Sequence, residues 1–145
     1  MQVERESIAC HSSGKAGGFL ASDWNDLSTK ELSRKSYQLH KELSETLEQD
    51  VGYRELDTYS IEVLPSNSNK TAKRDTNTIS WADGKITSTS TIGSCKTTAQ
   101  VNPFLLTNAL FHSAAKRGAK LVHGNVIDIE TEAVANVFSV KVWLL

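Results

Sequence analysis

The chain has 145 residues, about one domain's worth, and its 39% apolar and 23% charged content is that of an ordinary soluble protein. Sixteen basic against seventeen acidic side chains leave a net charge of −1, which excludes a global field for gathering nucleic acid or an anionic membrane. No apolar run approaches the ~20 residues of a membrane helix, and the charged stretch from Met1 to Cys10 is unlike a signal peptide.

In chain order, Gln2–Glu6 has the character of a strand end. Cys10-His-Ser-Ser-Gly-Lys-Ala-Gly-Gly-Phe19 follows, holding three of the eight glycines, so the backbone there bends or approaches something closely. Ser28-Thr29-Lys30-Glu31 reads as a capping box that opens a helix over 29–50. Leu32, Leu39, Leu43 and Leu47 form its apolar stripe, and Gly52 is its stop. Partial alternation over Tyr53–Leu64 predicts one or two strands. Residues 65–77 are polar and read as a surface loop or insertion. Asp83-Gly84 reads as a turn between strands over Ile79–Trp81 and Lys85–Ile92.

Asn102-Pro103 predicts a second helix start, an N-cap residue followed by proline at the first helical position. Leu106, Ala109, Leu110 and Ala114 supply its buried face, and Gly118 ends it. Lys120–Val122, Val126–Ile129 and Val137–Leu145 read as strands. Two helices and about six strands make an α/β or α+β piece. Its close on Trp143-Leu144-Leu145 is unusual for a domain end.

Singly, the candidate residues carry little. The Gly14–Gly18 loop fits neither GxGxxG nor the Walker pattern, so a plain tight turn is favoured over a phosphate cradle. A strand-end glutamate such as Glu4 can bind ribose hydroxyls, but a solvated glutamate is commoner. Lys15 is an exposed lysine or a phosphate contact. Cys10 and Cys95 form no CxxC and suit free thiols in a reducing cytoplasm, Cys10 as a small buried residue. The four histidines show no metal-ligand spacing. Lys70–Arg74 reads as a solvated basic run, and the sequon Asn69-Lys70-Thr71 means little without a secretory signal. No Ser/His/Asp or paired-carboxylate arrangement can be placed.

The ordered set is more specific. Residues 3–21, Val-Glu-Arg-Glu-Ser-Ile-Ala-Cys-His-Ser-Ser-Gly-Lys-Ala-Gly-Gly-Phe-Leu-Ala, resemble the FAD-dependent oxidoreductases of the D-amino-acid oxidase and glycine oxidase superfamily. There the second Rossmann strand ends in a glutamate, and a stretch of the form I-A-x-x-x-S-(G/x)-x-A-G-G wraps the flavin. Thr97–Leu110 resembles a family helix start, Ala114–Leu121 its end, and Gly124–Ile129 the strand whose valine meets adenine. Residues 14–24 look most like a fungal branch of the superfamily. The resemblance covers about residues 2–130.

It implies a partial FAD-binding Rossmann-type domain with part of a mixed-sheet substrate domain. Residues 1–52 would supply the flavin loop and long helix, 53–96 strands of substrate-domain type with the polar loop 65–78, and 97–130 a return to the FAD domain. Residues 131–145 stay unassigned. By the same resemblance, Glu4 would bind the adenosine ribose and the Arg5 backbone would lie beside adenine. Ser12 and Ser13 would face the pyrophosphate, within a cofactor loop that takes in Gly14 and Lys15. Ala16, Gly17, Gly18 and Phe19 would run along the ribityl chain and isoalloxazine, and Val126 would pair with adenine through its main chain.

The implied activity is oxidation of a C–N bond in an amine or amino-acid-like small molecule, with hydride passing to the flavin. No nucleic acid, membrane insertion or metal is implied, and oligomeric state and catalytic residues stay unread. The family's GxGxxG turn and C-terminal half are not among these residues, so an internal fragment or truncated form of a longer cytoplasmic flavoprotein is expected. The alternatives are a truncated inactive relative that holds no FAD and acts through protein partners, and an unrelated small α+β binding module.

Overall fold

A computed structural model describes residues 1–65, 79–82, 84, 86–134 and 137–145, with the side chains of 133, 134 and 137–139 left aside. The chain is α/β and divides into two compact units. The first comprises Met1–Gly18, Leu43–Gly52 and Asn102–Leu145, the second Phe19–Glu42 and Tyr53–Val101. No described helix is long and apolar enough to cross a membrane.

In the first unit, β1 (Gln2–Glu4) runs parallel to β7 (Leu121–His123), with Val3 opposite Val122. Parallel neighbours require a crossover connection, and α3 (Pro103–Lys116) is the helix that feeds β7. Its ends are specified locally. The Asn102 side chain accepts from the Leu105 N–H at 3.2 Å, and Pro103 occupies the first turn, where its missing N–H costs nothing. At the other end Gly118 takes a left-handed φ of 96°. Gly118 N–H donates to Ala115 O and Ala119 N–H to Ala114 O, each at 3.0 Å, which closes the helix as a Schellman motif. Lys116 pairs with Glu48, and its ammonium holds that carboxyl below its usual value.

The single turn α1 (Ser12–Lys15) packs on α3, and Thr107 Oγ1 donates to Ser13 O at 3.2 Å. The long strands β8 (Val126–Val134) and β9 (Val137–Leu144) form an antiparallel pair, with Glu130 opposite Lys141.

In the second unit, β6 (Thr98–Gln100) is the middle strand between β2 (Phe19–Ala21) and β3 (Arg54–Glu55), antiparallel to both. A second antiparallel pair joins β4 (Thr58–Val63) to β5 (Ile86–Gly93). Thr98 links the two sheets. It is fully buried, its hydroxyl donates to Leu56 O at 2.7 Å, and it accepts from Thr58 Oγ1 at 3.1 Å. The apolar residues buried in the described structure are alanines and valines with one isoleucine: Ala9, Val51, Ile86, Ala99, Val101 and Ala109.

The structure corrects several local expectations. The long helix, α2, spans Lys30–Thr46 and stops six residues before Gly52. Its last turn has no cation to answer the carbonyl end of the dipole. Ser28 does not cap it. Asp26 accepts instead from the Ser28 hydroxyl at 2.6 Å and from the Thr29 N–H at 3.3 Å. These bonds hold the Asp26 carboxyl below its usual value, and a carboxylate is the stronger acceptor at a helix start. Glu31 accepts from Arg34 rather than reaching back.

Leu32 and Leu39 are exposed, and so are Leu110 and Ala114; Leu43, Leu47 and Leu106 are half-buried, and within these stripes only Ala109 is buried. Ile79–Trp81 forms a turn, with Ala82 N–H donating to Ile79 O, and not a strand. Strands outnumber the expected six because short pairing segments such as β2 and β3 carry no alternation pattern. The polar loop over 66–78, with its basic run and sequon, and Asp83 of the predicted turn lie outside the described residues.

Replacing Thr98 by Val leaves the Leu56 carbonyl and the Thr58 hydroxyl without a buried partner and should cost about 1–3 kcal/mol. Urea unfolding checks this against Thr91→Val, an exposed control expected to shift stability by no more than about 0.5 kcal/mol.

Candidate functional site

Pairing of β1 with β7 sets the geometry of the first unit's loop end. Glu4 is the last residue of β1, so its side chain stands at the carboxyl end of a parallel strand. One carboxylate oxygen accepts from the Arg5 N–H at 3.0 Å and the Glu6 N–H at 3.5 Å. Among the described residues the second oxygen has no hydrogen-bond donor. The Glu4 carbonyl accepts from the Gly124 N–H at 3.1 Å, which brings Glu4 beside the start of β8.

There Asn125 and Leu145 exchange both main-chain hydrogen bonds, at 2.8 and 3.0 Å. The next opposed residues, Val126 and Leu144, are therefore a non-bonded pair in the antiparallel pattern. That turns the Val126 N–H and C=O to the outer edge of β8. A carboxylate acceptor beside a free main-chain donor and acceptor is chemistry that suits a ribose diol and a purine edge.

The loop after β1 is tightly wound. Ala9 is buried with a left-handed φ of 63°, and Cys10 N–H donates to Ser7 O at 3.3 Å. The Gly14 and Lys15 N–H groups then donate to His11 O at 3.0 and 3.1 Å, forming α1. Ser12, Ser13, Lys15, Ala16 and Gly17 are all exposed, and neither serine hydroxyl is bonded among the described residues. Gly18 takes a φ of 73°.

Gly14 has a different task. A Cβ there would fall inside contact with the Ala9 carbonyl oxygen and 2.9 Å from its carbon. Its missing side chain is filled by the loop's own backbone.

Phe19, the last of the loop residues singled out by sequence, opens β2 in the second unit. It is exposed and lines an open groove of about 400 Å³ with Leu20, Trp24, Leu32 and Tyr37. The Tyr37 hydroxyl itself is buried and has no hydrogen-bond partner among the described residues.

Sequence reasoning passed over one cluster. Cys10 is half-buried rather than enclosed, and it lies with Glu6 and His11. The Arg5 guanidinium, bonded to Glu6 at 2.9 Å, and the nearby His11 ring hold the Glu6 carboxyl below its usual value. The signal for this cluster was the adjacency of Cys10 and His11 four and five residues after Glu6, a spacing that joins only when the loop is wound.

Comparison with known proteins gives these observations a context. A family profile described as FAD dependent oxidoreductase matches residues 2–142. A protein of Schizosaccharomyces pombe, named by inference as an oxidoreductase, is 36% identical over 135 residues, which cover 90% of this chain and 35% of the relative. The chain thus spans about a third of that relative's length. No solved structure matches it.

Substitution of Gly14 by Ala should force the wound loop apart and destabilise the first unit by about 1–3 kcal/mol, the range for overpacking. Chemical denaturation measures the loss, and amide exchange should show it concentrated in residues 7–15.

Proposed function

The chain belongs to the FAD-dependent oxidoreductase family, and on that premise we propose that it forms the nucleotide-holding part of an enzyme that oxidises a C–N bond of an amine or amino-acid-like small molecule. The single observation that carries the cofactor reading is the meeting of Glu4, at the carboxyl end of a parallel strand, with the start of β8.

FAD is the cofactor that family membership implies. When bound, its flavin supplies a two-electron acceptor for the substrate hydride. The protein's share is to bind, orient and exclude water. In the proposed site the unbonded oxygen of Glu4 accepts from adenosine ribose hydroxyls. The Arg5 main chain lies beside adenine, and the outward N–H and C=O of Val126 pair with its edge. The exposed hydroxyls of Ser12 and Ser13, with the Lys15 ammonium, face the pyrophosphate. Ala16, Gly17 and Gly18 line the path of the ribityl chain and ring. Gly14 shapes the loop from inside.

Substrate contact is assigned to the second unit, whose groove is lined by Phe19, Leu20, Trp24 and Tyr37. Its lining mixes these apolar side chains with Asn25, Ser33 and Ser36, and a concave site with some polar groups is a setting for a small organic substrate.

The test is retention of flavin absorbance after incubation with FAD and desalting. The chain is expected to keep the flavin bands, and Glu4→Ala should weaken binding roughly tenfold or more, the worth of a hydrogen bond to a charged group. A colourless chain, or equal affinity in Glu4→Ala, would overturn the cofactor assignment. Anaerobic bleaching by amines or amino acids supports the C–N reading, and bleaching only by hydroxy acids contradicts it.

A further inference from the structure

We propose that Glu6, Cys10 and His11 form a zinc site that clamps the loop between β1 and α1, a role separate from cofactor binding. One carboxylate oxygen, the thiol sulfur and one ring nitrogen all lie within 4.8 Å of one another. The His11 Nε2 and Glu6 Oε1 atoms are 3.4 Å apart. Two ligands of a tetrahedral zinc at its usual bond lengths stand about 3.3 Å apart, so this edge of the site is already at the ligating distance.

The donor set selects the ion. Thiolate, imidazole and carboxylate together suit zinc, whereas calcium and magnesium take oxygen ligands alone. Three protein ligands leave a fourth position for water. Glu6 and His11 are exposed and Cys10 half-buried, so an ion can reach all three from solvent.

The loop is wound in the way the site requires. The left-handed Ala9 and the Cys10 N–H to Ser7 O bond carry the chain back so that Cys10 and His11 return to Glu6. A non-glycine residue held at positive φ is a strained feature of the kind that accompanies functional loops. Gly14, pressed against the Ala9 carbonyl, locks that turn from the other side. Arg5 donates to the same Glu6 Oε1 that faces His11, so zinc must displace the guanidinium from that exposed oxygen or take the carboxylate's other oxygen.

On binding, the Cys10 thiol gives up its proton and the sulfur donates a lone pair to the ion, and no electron is transferred. The ion then ties three residues of one loop together, which fixes the start of α1.

The experiment uses the full chain without flavin. After equilibration with zinc and removal of excess, elemental analysis is expected to find one zinc per chain. Cys10→Ser and His11→Gln should each weaken retention about tenfold or more, while Cys95→Ser, the other free cysteine, retains it. Cobalt replaces zinc as an independent probe. The wild-type chain should give a tetrahedral visible spectrum with a thiolate-to-cobalt charge-transfer band, and Cys10→Ser should lose that band. No metal retained by the wild-type chain, or metal retained equally in Cys10→Ser and His11→Gln, overturns the proposal. So does an octahedral cobalt spectrum without the charge-transfer band, a result that does not depend on any variant folding.

Discussion

The site rests on the parallel pairing of β1 with β7. Gln2–Glu4 finds its partner at Leu121–His123, at the other end of the sequence, and that closure must be reached against the entropy of a long loop. Once made, it places the Glu4 carboxylate at the strand's end and the main chain of Gly124 against the Glu4 carbonyl. The Arg5–Gly18 loop and the first residues of β8 then share one edge of the unit. Everything proposed for the nucleotide depends on these few main-chain bonds, because the Glu4 side chain reaches its neighbours Arg5 and Glu6 and only the Glu4 carbonyl bonds the chain at Gly124.

Polar hydrogen bonds do much of the work that burial does in larger cores. The buried apolar set is dominated by alanine and valine, which remove little area each. The second unit is therefore pinned by Thr98, whose hydroxyl serves carbonyls and a second threonine across two sheets. Large apolar side chains such as Ile127, Ile129, Val140 and Trp143 on the β8–β9 pair remain exposed. The described elements thus present apolar faces that they do not cover themselves.

Local chemistry was legible in the sequence where one residue type is required. Asn102-Pro103 and Gly118 mark the ends of α3, because a cap acceptor, a residue without an N–H and a left-handed glycine act within a few positions. The long helix was visible, but not the turn before it: Ser28 donates to Asp26 instead of accepting from the helix start, and composition cannot decide which role a serine beside an aspartate takes. Leucine spacing predicted a buried stripe, whereas burial depends on a covering element, and Leu32 has none. Short strands such as β2 and β3 exist only through β6, so no pattern of their own announces them.

The family likeness orders the proposed site residues along the chain, but it does not give their geometry. The outward-facing main chain of Val126 follows from the bonding of Asn125 with Leu145. The internal task of Gly14 follows from the left-handed Ala9. Neither is encoded by residue type. The most direct measurement is a backbone amide NMR titration of the chain with FAD. Coincident shifts at Glu4, Arg5, Ser12–Gly18 and Asn125–Ile127 are the predicted result. Saturable shifts that leave Glu4 and Val126 unmoved would contradict the account.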